Sequence, residues 1–485
     1  MILLPHSRRR PASGRGRRLA IAAMLSIIAV AELRGQSEIE GPLHTTLVYP
    51  PFAHTLGIHR GRSMHLKLFL GDRTRFDNPQ GVTAVKFASD DDPEVKGDDF
   101  QLTLFGVNAG RGEILYNSTM QTLAVYGSEG EGKERFQSPH GIEATVDGRV
   151  YVADTGNRRV ARLRWDPIAR SVSWVGTWVA SEPYDVAADA RGQLFVADRE
   201  SGAVLRFADS TAGAGTNLLS PSPIEGDRWP LPADVQSPIG LAIGDSLDPW
   251  YSPKEYRLYL IDLNGGRLRA FSATGEVVAE TTPDAIDRPT DQPGRFGYVE
   301  LDYYGNIYVS DRTIGVLYKF DSQLRPLVTF SGPGPGEDAL DEPRGIAIWR
   351  RFGQVFVAER EGAQYFFIGT DFEPRAGPIE IRRDGDQRVA FDLFLTEAAL
   401  ITAAFVNTEG DTLAIVDAGI HGAGAQTVSW TSTEWRTPPV EGWHERAQRV
   451  LVEARPTYSS RRRFSRIRDF EIAWRDHLTP YSEDQ

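Results

Sequence analysis

The sequence predicts an all-β chain, a six-bladed β-propeller followed by a smaller β-sandwich, and three observations carry that prediction. One strand–turn–strand pattern returns six times between residues 65 and 375. Beyond it the apolar alternation lengthens into a different kind of strand. The 485 residues include 47 Gly and 30 Pro, dense enough to punctuate many short strands, and 41% apolar residues to give them a core.

The clearest copy follows Ser138-Pro139-His140 and reads GIEATVDGRVYVADTGNRRVARLRW from Gly141. A short strand, an Asp147-Gly148 turn, a second strand ending at Asp154 and a third from Val160 follow one another. The grammar returns from Asp185, Gly240, Val299 and Gly345, and more loosely from Gly81, where an acidic insertion, Asp90 to Glu94, widens the first turn and reads as a solvated charge run. Each clear copy ends its second strand in an acid: Asp154, Asp198, Asp262, Asp311 and Glu359. At such a position a carboxylate accepts backbone N–H bonds and sets the bend, so these five are expected to be structural turn acids. One four-stranded sheet cannot bury both of its faces, whereas radial stacking of six buries them all.

The sixth copy has no clear fourth strand after residues 365–369. The missing strand is expected from the other end, in His65-LKLFLGDRTRFDNPQG, with residues 66–71 pairing onto the last blade and closing a ring over 65–375. The stretch from Phe136 to Leu163, FQSPHGIEATVDGRVYVADTGNRRVARL, resembles an NHL repeat, and the other copies resemble it with looser turns. The resemblance implies a six-bladed propeller of NHL or YWTD-like type. It leaves function open, because such propellers are known as protein- and RNA-binding modules, as the peptidylglycine amidating lyase and as relatives of calcium-dependent lactonases.

Residues 1–31 carry six arginines and no acid, then an apolar run from Leu19 to Val30, and are expected to be a secretory signal peptide; residues 32–64 form an N-terminal extension. Its removal lowers the basic count from 54 to 48 against 66 acids, a formal charge of −18 in place of −12. An acidic exported chain repels phosphate backbones, so nucleic acid is not expected as a partner, and no apolar run reaches the roughly 20 residues of a membrane span. The absence of cysteine excludes disulfides, thiolate metal sites and a nucleophilic thiol. The destination is expected to be the periplasm, the cell surface or the medium. An arginine cluster, Arg461, Arg462, Arg463, Arg466 and Arg468, reads as the solvated face of a late hairpin.

From 376 to 476 the strands lengthen: RVAFDLFLT from Arg388, a hairpin around Asn407 to Asp411, QTVSWT from Gln426 and RAQRVLVEARP from Arg446. This order resembles the FlgD-like immunoglobulin-like domain, which implies an accessory sandwich serving as spacer or attachment module. Gly442-Trp443 stands where that family carries glycine and tyrosine. Residues 477–485 form a polar tail.

His140 precedes the glycine that opens an inner strand and should face the channel mouth. In the amidating lyase that the repeat resembles, histidines at this position bind zinc. The equivalent places here hold Gln80, Tyr184, Ile239, Gly297 and Arg344, so a zinc set of three or four ligands is not assembled. The same positions supply few oxygens for calcium, and no nucleophile elbow, phosphate-cradling loop or paired-histidine helix occurs. No catalytic residue, metal or cofactor is therefore expected. The expected function is an exported, non-enzymatic binding or scaffold protein that recognises a protein, peptide or glycan through Gln80, His140, Tyr184 and Arg344. Trp229 and Trp250, on long loops, are expected to add contacts. The alternative is a metal-dependent lyase or lactonase acting in the channel.

Overall fold

A computed structural model describes residues 47–48, 60–91, 94, 101–119, 122–208, 227–287, 291–332, 339–375, 378–384, 388–431, 434–457 and 464–476. The expected signal peptide, most of the N-terminal extension and the polar tail lie outside the described residues. So do residues 209–226 of the Trp229 loop and Arg461, Arg462 and Arg463. Among the described residues no helix is long and apolar enough to cross a membrane.

Six antiparallel meanders follow one another along the chain. Blade 1 comprises Pro79–Val85, Thr103–Asn108, Glu113–Ser118 and Thr122–Tyr126. Blade 2 comprises Ile142–Ala144, Arg149–Asp154, Arg159–Asp166 and Ser171–Val179. Blade 3 comprises Pro183–Ala188, Gln193–Asp198, Ala203–Ala208 and a two-residue outer strand, Asp227–Arg228. Blade 4 comprises Gly240–Gly244, Arg257–Asp262, Arg267–Ser272 and Val277–Thr281. Blade 5 comprises Phe296–Leu301, Ile307–Asp311, Val316–Phe320 and Pro326–Phe330. Blade 6 takes three strands from its own repeat, Ile346–Trp349, Gln354–Glu359 and Gly362–Ile368. The cores lie between blades, as where Trp178 of blade 2 stacks on Phe207 of blade 3 at 4.7 Å.

The ring closes from the N-terminal side, but not with the expected segment. Residues 66–71 are not a strand: Ser63–Leu70 is a helix that buries only Leu66 and ends at Gly71, φ 68°. Met, Leu and Lys are strong helix formers, and with a glycine able to adopt positive φ at the C-cap they outweigh the Leu66, Leu68, Leu70 alternation that reads as a strand. The closing strands are Arg60–Arg62, paired with Gly362–Gln364, and Leu47–Val48, paired with Phe367 and Ile368. Gly362 is required there, because a Cβ on it would meet the Gly61 carbonyl oxygen at 2.3 Å. Arg60 then reaches Glu359 at 3.4 Å and the Ala339 carbonyl.

The expected turn acids do more than set the following bend. Asp154, Asp198, Asp311 and Glu359 accept N–H bonds from residues 137, 181, 295 and 341, at 2.6 to 2.8 Å, tying the loop that enters each blade to its second strand. Asp262 instead pairs with Arg267 and Arg269 at 2.6 and 2.7 Å. In blade 1, Asn108 fills the place and accepts from the Asp77 N–H at 2.7 Å.

The propeller ends at Ile368 rather than 375, since Phe372–Pro374 pairs with Leu393–Leu395 of the following region. Among the described residues that region holds nine strands linked through Arg466–Asp476, which pairs in parallel with Ile379–Arg383 and antiparallel with Arg449–Ala454. Phe391, Phe405 and Trp430 centre its single core. It is docked on the propeller rather than held off as a spacer. Lys319 of blade 5 pairs with Glu397, both almost wholly buried, and Tyr304 bonds Thr457 at 2.5 Å. Phe367 of blade 6 stacks on Phe464 at 5.7 Å, and Arg468 grips Asp371, in the segment that leaves the last blade, at 2.9 Å.

Candidate ligand-binding mouth of the channel

Inner strands of neighbouring blades touch at their first residues. The N–H groups of Gly81, Gly141 and Gly345 donate to the carbonyls of His140, Tyr184 and Gln80 at 2.9, 2.9 and 3.2 Å. At Gly345 a Cβ would lie 2.5 Å from the Gln80 oxygen, so the residue before each such contact is forced to the channel mouth. This brings four of the sequence-designated residues, Gln80, His140, Tyr184 and Arg344, to one end of the ring.

The His140 ring stacks on Tyr184 at 4.1 Å, and the Arg199 guanidinium lies 5.0 Å from the Tyr184 ring centroid. Thr155 donates to the Pro183 carbonyl at 2.6 Å, so its oxygen is left to accept from His140 Nδ1, 2.9 Å away, which places the imidazole proton on Nδ1. Burial lowers the His140 pKa to about 4; the Ser138 carbonyl opposes this, and the charges of Arg199 and Arg312 add to it. The imidazole is thus neutral near pH 7. Gln80 accepts from Tyr298 at 3.3 Å and donates to Asn78 at 3.0 Å.

Arg344 sits at the mouth but is spent within the ring. It is buried, and it donates to the Pro79 carbonyl at 2.8 Å, to Asn78 and to Glu342 at 3.2 Å, fastening blade 6 to blade 1. The two tryptophans do not join the mouth. Trp229 packs half-buried over blades 3 and 4, 5.2 Å from Phe195 and 6.2 Å from Tyr256. Trp250 follows the inner strand of blade 4, hence lies at the far end of the channel, beneath Arg351 at 5.0 Å.

Three groups of residues were missed by reading only the strand-opening positions. The first follows the second-strand acids: Thr155, Arg199, Leu263, Arg312 and Arg360 stand one residue after them, on the His140 face. Arg199 is paired with Glu182 at 2.9 Å and Arg360 with Asp341 at 2.9 Å. Arg312 is exposed and makes no hydrogen bond or ion pair among the described residues. Burial raises the Tyr184 pKa, and the Arg312 charge is the strongest influence pulling it back. The Tyr184 hydroxyl likewise has no hydrogen-bond partner among the described residues.

The second is Tyr298, which replaces the inner-strand glycine in blade 5 and carries its hydroxyl across the channel to Gln80. The third is a set of carboxyls facing inward along the inner strands. Glu143, Asp185 and Glu300 line an internal cavity of about 50 Å³ with Arg350. Burial pushes Asp185 up to about 7 against N–H bonds from Leu241 and Val186 at 3.0 Å, and raises Glu143 and Glu300 too. Arg350 closes the floor, bonding Asp248 at 2.8 Å and Glu300 at 3.1 Å. Period-2 alternation from Gly141 reaches Glu143, whereas Asp185 and Tyr298 stand where the other blades have the opening glycine, which hides Asp185 and, two residues beyond Tyr298, Glu300. Among the described residues no group of three or more His, Asp or Glu is arranged to hold a metal ion.

Residues 136–163 match the NHL repeat family. No curated protein matches the chain. Among solved structures the chain is similar to a streptogramin B lyase, with 14% identity over 61% of this chain and 95% of that one and a TM-score of 0.39. It is also similar to a calcium-binding protein, regucalcin, from Agrobacterium tumefaciens str. C58, at 13% over 63% and 92%, TM-score 0.40. A luciferin-regenerating enzyme gives 13% over 64% and 95%, TM-score 0.40. Likenesses at this level carry no functional argument. The strand topology and the repeat define a six-bladed propeller containing an NHL repeat.

Proposed function

We propose that the chain is an exported binding protein that captures a protein, peptide or glycan at the mouth formed by Gln80, His140, Tyr184 and Arg312. The observation that supports it is preorganisation with donors left over. His140 and Gln80 are fixed by partners in the ring, while the Tyr184 hydroxyl and the Arg312 guanidinium are unsatisfied among the described residues. A ligand docking there meets groups already ordered, which reduces the entropic cost of association. The docked C-terminal region, whose sequence resembles a FlgD-like domain, serves as the attachment module and leaves the mouth to the ligand.

The test is binding of peptide and glycan arrays by the mature protein and by the His140→Ala/Arg312→Ala variant. Ligands retained by the first and lost by the folded second support the reading; equal retention by both removes the mouth from consideration. The alternative, a metal-dependent lyase or lactonase, would draw on Glu143, Asp185 and Glu300. Stoichiometric zinc or calcium in the purified protein would favour it.

A further inference from the structure

We infer that the mouth recognises a carboxylate on a peptide, either an acidic side chain or the chain terminus, with Arg312 as the residue that engages it. The inference rests on the binding reading above and narrows its ligand. Three arginines act on Tyr184: Arg199 beside its ring, Arg344 in the wall, and Arg312 from the turn of blade 5. Two are already matched. Arg199 is held by Glu182 at 2.9 Å, and Arg344 by Glu342 at 3.2 Å and two oxygens of blade 1. Arg312 is the unmatched one, exposed and without hydrogen bond or ion pair among the described residues, and its planar fork suits a bidentate carboxylate.

The remaining groups fit the same ligand. The Tyr184 hydroxyl, without a hydrogen-bond partner among the described residues, can donate to a second carboxylate oxygen or to a neighbouring peptide carbonyl. His140 is neutral with its proton turned to Thr155, so Nε2 accepts from a peptide N–H rather than competing for the anion. Of the channel carboxyls below, Asp185 is buried and Glu143 and Glu300 are partly buried, and Arg350 at the floor is already engaged. An acidic group is therefore held at the mouth and not drawn inward. A sugar is the poorer fit, because the Tyr184 ring already stacks on His140 at 4.1 Å and has the Arg199 guanidinium 5.0 Å from its centroid, so it is less open to stacking.

The experiment is isothermal titration of the full mature chain with a hexaglutamate peptide, a hexaglutamine peptide with an amidated terminus and trigalacturonic acid. Each is run against wild type, Arg312→Ala and Arg312→Glu. Arg312 lies on the surface, so both variants are expected to keep the wild-type Tm, and circular dichroism checks that. The expected result is hexaglutamate binding in the micromolar to millimolar range, at least tenfold weaker in Arg312→Ala, abolished in Arg312→Glu and weakened by salt. Binding of the amidated hexaglutamine that Arg312→Glu leaves unchanged would overturn the carboxylate while sparing the mouth as a peptide site. Binding of trigalacturonic acid alone would move the carboxylate to a glycan and overturn the peptide. No binding of any probe would overturn both this inference and the reading beneath it.

Discussion

At the mouth of the channel Arg312 is exposed with no hydrogen bond or ion pair among the described residues, while at the floor Arg350 is spent on Asp248, Glu300 and two backbone carbonyls from blades 4 and 5. Both follow directly on a strand of the repeat, one after the second strand of blade 5 and the other after the inner strand of blade 6. The same residue type thus serves two ends. Buried charge must be compensated or neutralised, because desolvation is costly, and the channel shows both remedies: Arg350 is paired at the floor, and Asp185, just below the mouth, is pushed toward its neutral form. Charge at the mouth is under no such demand, so a cation left unmatched there is available to a ligand.

The sharpest way to break the comparison is at the joint between propeller and C-terminal region, where Lys319 and Glu397 are as enclosed as any charges described. Lys319→Met strands Glu397 and should cost about 3–5 kcal/mol, with much of it regained in Lys319→Met/Glu397→Leu. Urea unfolding of the single and double variants measures this; a single variant as stable as wild type would contradict the burial of the pair. Arg350→Met is expected to rank next, at about 2–3 kcal/mol, since Arg350 keeps some exposure and Glu300 can neutralise.

Asp185→Asn should have a smaller, pH-dependent effect. The folded-state pKa of Asp185 lies above its ordinary value, so its ionisation opposes folding: stability is greatest below about pH 4 and falls as pH rises through 7. The amide can accept only one of the two N–H bonds and should cost about 1 kcal/mol at low pH. The fall in stability between pH 4 and 7 should flatten. His140, with its pKa lowered to about 4, acts with the opposite sign: it contributes stability above pH 6.5 that is lost as pH falls through 4. A titration of the His140 ring by NMR that showed an ordinary midpoint would contradict the packed mouth. Arg312→Ala should change stability least, within about 0.5 kcal/mol.

Much of the fold was legible because the inner three strands of each blade obey one period. GIEATVDGRVYVAD in blade 2 and GIAIWRRFGQVFVAE in blade 6 place their turns and terminal acids alike. Outer strands were harder, since they make fewer contacts and vary more: only Asp227–Arg228 is described for blade 3, and the closing strand was shifted because a run of helix formers, Ser63–Leu70, also alternates. At the site, His140 and Tyr184 were found because they sit beside an inner-strand contact that glycine makes possible. Arg312 and Glu300 were not, because their roles depend on which neighbouring blade faces them, a relation that local sequence does not contain.

The face that meets the ligand can be read most directly by photo-crosslinking. Leu263 and Leu247 are both exposed on blade 4, at 44% and 58%, but Leu263 follows the second-strand acid on the His140 side and Leu247 follows the inner strand at the far end. With benzoylphenylalanine placed at one position or the other, the hexaglutamate peptide should crosslink at 263 and not at 247. Crosslinking at 247 alone would place the ligand on the opposite face and contradict the account.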